Sequence, residues 1–196
     1  MSYAPNPEGL RSAFAAERFA FEETSIQFSL VEAGRLTVIS GKIAAGDPEA
    51  EDEPQSGLPP FTQCVPNGDY PVTLALARFD NGDERIAYAR VQLAEAAVAH
   101  WYPALLASQD ARTLKPGEIF GYRVESGTAC FMDPQAGPEN GISFSTAAGG
   151  PYASYFGYGA DGRVASLVTD FAVVPNIHHA PPASRKWWKC LLFLWK

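Results

Sequence analysis

A chain of 196 residues with 46% apolar side chains can bury a core without disulfide or metal staples, and one domain accounts for its length. The formal charge of −7 is uneven, because Arg185, Lys186, Lys189 and Lys196 all fall after residue 184 and leave 11 basic against 22 acidic groups before it. A body this acidic repels phosphate backbones, which argues against nucleic acid as its partner and in favour of a basic protein.

Aromatic content of 12%, 17 glycines and 16 prolines favour short strands and turns. The expected fold is α+β and β-rich, with antiparallel hairpins forming a sheet or sandwich beside one or two short helices. Residues 1–174 are expected to form one globular domain, 175–184 a linker and 185–196 a basic aromatic tail.

Pro5 and Pro7 hold the first residues extended, and the spacing of Leu10, Phe14, Ala15 and Phe19 predicts an amphipathic helix from Glu8 to Phe21. Alternation through Ile26, Phe28 and Leu30, then through Leu36 and Val38, predicts a hairpin turning at Glu32–Arg35. Residues 47–60 carry five acids among prolines and almost no apolar side chains, which predicts an exposed loop. A second hairpin is predicted from Val72, Leu74 and Leu76 through the turn Asp80–Asp83 to Ile86, Tyr88 and Val91.

Residues 94–110 read as helix, kinked or restarted at Pro103. A last β-rich block runs from Ile119 to Val174, with turns at Asp133-Pro134 and Ala160–Arg163. The tail places Trp188, Leu191, Leu192 and Trp195 on one helical face beside Trp187 and the lysines. Twelve residues are too few to span a bilayer, so packing or self-association is expected of Trp187, Trp188, Leu191 and Trp195, with membrane contact as the alternative.

No catalytic or metal signature stands out, and no cofactor is expected. Cys130 lies among apolar neighbours, and neither His100 nor the His178-His179 pair forms a cysteine-hydrolase pattern with it, so an inert buried thiol is expected. Three dispersed cysteines, and an N-terminus without a basic stretch followed by an apolar run, suit reduced thiols and a cytoplasmic location. Asp47, Asp133, Asp161 and Asp170 end β-type runs, where turn formation explains them and a hydrolase pair is the alternative. The glycines at 149, 150, 157 and 159 lie among aromatics and form no phosphate loop, and a binding face and core packing explain that cluster equally well.

The pattern V-x-S-G, five residues, D-P occurs twice, as VISGKIAAGDP at 38–48 and VESGTACFMDP at 124–134. The flanks do not align, so a recurring turn device is expected, with duplication as the alternative. The ordered blocks SGKIAAGDP, VPNGDYPV, FGYRVESGTACFMDP and YFGYGADGRVASLVTDFAVV resemble the bacterial domain of unknown function family numbered 4241.

That resemblance marks Asp47 and Pro48 in the first block, Gly68, Tyr70, Pro71 and Val72 in the second, and Gly127, Thr128 and Asp133 in the third. Asp161 and Asp170 belong to the last. Glu125 stands where the family has Asp, and Gly149-Gly150-Pro151 stands where it has an acidic segment. The resemblance brings no catalytic mechanism. With the acidic body it implies a cytoplasmic binding protein, specifically an immunity protein that meets a secreted toxin domain through Glu49, Glu51, Asp52 and Glu53.

Overall fold

The computed structural model describes residues 5–21, 24–49, 57–115, 118–146 and 148–174. The predicted linker and tail, with Trp187, Trp188, Leu191 and Trp195, lie outside them, as do Glu51, Asp52 and Glu53.

The described chain runs through helix α1 (Pro7–Phe14), β1 (Arg18–Phe21), β2 (Thr24–Val38), β3 (Ala44–Gly46), β4 (Gly68–Phe79) and β5 (Glu84–Gln92). It continues through β6 (Val98–Pro103), β7 (Tyr122–Val124), β8 (Thr128–Met132), β9 (Ile142–Ser145), β10 (Gly150–Gly159) and β11 (Val164–Asp170). The large antiparallel sheet has the order β1-β2-β4-β5-β11-β10-β6, with β7 on the start of β10, and a small sheet has the order β3-β8-β9. The β-rich α+β expectation is met.

Both faces of the large sheet are covered. On one, Leu36, Val38, Val72, Leu74, Val91 and Leu167 meet Phe131 and Phe144 of the small sheet. On the other, Ile26, Phe28, Ala77, Tyr88 and Val168 meet Leu10 and Ala13 of α1 and the neighbouring Phe19. Burying apolar area on both faces explains why the inner strands are apolar with weak alternation.

Three local expectations change. The predicted helix to Phe21 ends at Phe14, because Ala16 takes φ 55° and turns the chain back. Phe19 then reaches the α1 core from a strand paired with Ile26. Helix α1 starts where the Asn6 side chain accepts the N–H groups of Glu8 and Gly9, both at 3.1 Å, with Pro7 next in sequence.

The predicted turn at Glu32–Arg35 is a β-bulge inside one 15-residue strand, β2. Glu32 pairs with Thr73 and Gly34 with Val72, so Ala33 is the extra residue, and Gly34 takes φ 135°. The bulge reverses facing: Ile26 and Phe28 point to the helix face, while Leu36 and Val38 point to the small sheet.

The predicted helix at 94–110 is instead the edge strand β6 followed by an irregular segment. Pairing with β10 outweighs the helical propensity of the alanines, since Val98 and Trp101 pack on the bare backbone of Gly157. Pro103 ends the strand on the outermost edge, where a missing N–H is tolerated.

The hairpin of β4 and β5 forms as expected. So does that of β10 and β11, turning at Ala160–Arg163 with Gly162 at φ 77° and Asp161 accepting the Arg163 N–H at 3.0 Å.

Candidate functional site

The two copies of the repeated pattern meet in space. β3 from the first pairs antiparallel with β8 from the second, Ala44 opposite Met132, Ala45 opposite Phe131 and Gly46 opposite Cys130. Ala45 and Phe131 hold the same position in the two copies and also face each other. A local two-fold axis therefore passes between them.

The carboxylates obey that axis. Asp47 Oδ2 accepts the backbone N–H groups of Glu125 and Ser126, both at 2.8 Å. Asp133 Oδ2 accepts those of Ile39 and Ser40, both at 2.7 Å. Each Oδ1 caps its own turn, accepting from Glu49 at 2.9 Å and from Gln135 at 2.7 Å.

The serines complete the exchange. Ser126 Oγ donates to Asp47 Oδ1 at 2.7 Å and accepts the Thr128 N–H at 3.0 Å, while Ser40 Oγ accepts the Lys42 N–H at 3.2 Å. Gly41 and Gly127 both adopt left-handed φ, 71° and 80°. That conformation turns the next N–H, of Lys42 or Thr128, back to the serine hydroxyl before the glycine, which explains glycine at this position of both copies.

Burial alone would raise the Asp47 carboxyl, which is 2% exposed. Bonds from the Ser126 and Glu125 N–H groups, then from Glu49 and the Ser126 hydroxyl, overcome this and hold it at about 2. Asp133, at 0% exposure, is likewise raised by burial and lowered by more through Ser40, Gln135 and Ile39. A carboxylate accepts about four hydrogen bonds, and Asp47 receives four. Its electron pairs are occupied by three backbone N–H groups and the Ser126 hydroxyl.

Each Asp thus serves its own turn, as the turn reading expects, and also ties down the opposite copy, which that reading missed. The signal was the serine shared by both V-x-S-G segments. Ser40 and Ser126 belong to the site as much as the aspartates do.

The remaining candidates are dispersed. Asp170 caps the turn after β11 by accepting the Ala172 N–H at 2.8 Å, and Asp161 pairs with Arg163 at the exposed β10–β11 hairpin. Gly68 opens β4, and the Tyr70 hydroxyl donates to the Pro66 carbonyl at 2.8 Å. Pro48 follows Asp47, and Glu49 is exposed where the acidic run begins.

Cys130 is 2% exposed beside Ala44, Leu58 and Met132. Burial, with the Asp47 carboxylate adding to it, pushes its thiol up to about 11. The expected burial of this thiol is observed. Tyr152, Tyr155 and Phe156 are core residues, so the glycine and aromatic cluster is packing. Among the described residues no group of three or more His, Cys, Asp or Glu could hold a metal, and no helix is long and apolar enough to cross a membrane.

The fold and junction define a class: an antiparallel β-protein whose two sheets are joined by a reciprocal pair of aspartate caps. The family model described as protein of unknown function (DUF4241) matches residues 36–140, more than half of the chain and both copies of the pattern, and the protein belongs to that family. No curated protein and no solved structure matches the chain.

Proposed function

We propose that the protein is a cytoplasmic binding protein, specifically an immunity protein that neutralises a bacterial toxin by covering a basic active site with an acidic surface. The observation that carries this reading is the anchoring of the acidic run Glu49, Glu51, Asp52 and Glu53 at both ends.

Before the run, Asp47 is fixed by the opposite copy of the pattern and pins the N–H of Glu49. After it, Leu58 is buried against Ala44 and Cys130, so close to Gly46 that a Cβ there would lie 2.5 Å from Leu58 Cδ2. Pro60 bridges to Ala44. Holding both ends of a charged segment on a rigid core lowers the ordering cost of binding. Its negative charge on an acidic body steers a basic partner into contact.

The test compares the wild-type chain with a variant carrying Glu49→Gln, Glu51→Gln, Asp52→Asn and Glu53→Gln as bait in lysate of the source organism. The captured protein is then purified and its association rate measured at low and high salt. The expected partner is basic, and the variant associates about tenfold or more slowly at low salt with a flattened salt dependence. Equal rates and equal salt dependence would refute the role of these four acids.

A further inference from the structure

Arg90 lies on β5 on the helix-covered face of the large sheet, with its Cζ 4.0 Å from the centre of the Phe14 ring. Among the described residues, six other arginines pair with carboxylates, and the remaining two donate to the Ser25 hydroxyl and the Asp69 carbonyl. Arg90 is half-buried, and its Nε is buried with no hydrogen-bond partner. Among the described arginines, the one most withdrawn from water is the one whose buried nitrogen has no acceptor. Burial lowers its pKa, and none of the ion pairs among the described residues includes it.

A second polar group nearby is also unsatisfied. Ser166 is 4% exposed, and its Oγ has no partner. Gln92 pairs with Ser166 and Arg90 with Val168, so Ser166 and Arg90 are diagonal neighbours on the same face.

Aromatic rings flank both groups. Phe14 lies against Arg90, and Trp101 covers Gly157, the residue opposite Ser166, so closely that a Cβ on Gly157 would lie 2.9 Å from Trp101 Cζ3. Two acids share this face with Arg90: Glu32, two strands away beyond Thr73 and exposed, and buried Asp170, two residues beyond the Val168 opposite Arg90 and used as the cap of the turn after β11. Neither acid is joined to Arg90 by any of the ion pairs among the described residues.

We propose that Arg90 and Ser166 form the anion-binding end of a site for a small organic carboxylate, whose apolar body lies against Phe14 and Trp101. A guanidinium fork matches a carboxylate with two parallel N–H···O bonds, and the serine hydroxyl adds a donor. One cation on an acidic protein balances a monoanion, and a phosphate dianion would call for a second. Aromatic flanks favour a carboxylate with a planar apolar substituent.

The test uses the full-length 15N-labelled protein and follows the Arg90 Nε–Hε resonance during titration with acetate, phenylacetate and the neutral isostere phenylacetamide. Phenylacetate is expected to shift it saturably, with phenylacetamide weaker by about tenfold or more. Arg90→Lys should weaken phenylacetate binding by about tenfold. Ser166→Ala should weaken it less, and Arg123→Lys on the surface should leave it unchanged. Absence of a saturable shift with either carboxylate, or equal binding of acid and amide, overturns the proposal. The acid-to-amide comparison needs only the wild-type chain, so it stands even if a variant fails to fold.

Discussion

Replacing Asp47 by Asn tests the reciprocal junction directly. The four donors are divided between the oxygens, with Glu125 and Ser126 N–H on Oδ2 and Glu49 N–H and the Ser126 hydroxyl on Oδ1. Whichever way the new amide turns, its NH2 faces two donors. Losing charge-assisted bonds and stranding part-buried donors costs about 3 kcal/mol.

Proton linkage through the same bonds gives a similar scale. A carboxyl held at about 2 against 3.8 unfolded contributes about 2–3 kcal/mol at neutral pH. Because the folded value is the lower one, this stability is complete above about pH 5 and lost as pH falls towards the folded value.

Equilibrium urea unfolding at pH 7 and at intervals down to pH 3 reads both effects. Asp47→Asn should be about 3 kcal/mol less stable at pH 7. Its stability should also fall less steeply with acid than that of the wild type. A loss below about 0.5 kcal/mol, the ordinary effect of a surface change, would refute the reasoning. So would a wild-type acid slope retained unchanged in the variant.

The local two-fold predicts that Asp133→Asn destabilises by a similar amount, and a double-mutant cycle in urea should show coupling, because both caps hold the β3–β8 pair. Gly127→Ala should cost about 1 kcal/mol through its φ of 80° alone, since no atom lies within 4 Å of an added Cβ; thermal unfolding measures this. Peptide mapping after thiol labelling at pH 8 should find exposed Cys64 modified in the folded protein and Cys130 modified only on unfolding.

Much of the local structure follows from short-range chemistry. The turn residues Asp80–Asp83 and Ala160–Arg163, set between β-rich arms, determine two hairpins because their pairing closes over a few residues. The apolar neighbours of Cys130 determine its burial for the same reason. Tertiary structure decided the elements whose alternatives are locally equal. Glu32–Arg35 can turn or bulge, and continuous pairing with β4 selects the bulge. Residues 98–103 can coil into a helix, and the open edge of β10 draws them into a strand.

The junction shows the same division at the site. The sequence by itself determined that V-x-S-G and D-P recur with identical spacing and that turn chemistry suits both. It could not determine that each aspartate serves the other copy. The Asp133 bonds to Ile39 and Ser40 reach across separations of 94 and 93 residues, and only the packed sheets bring those groups together. A carboxylate's affinity for N–H donors is local chemistry, whereas the donors it receives are fixed by which strands the core places side by side.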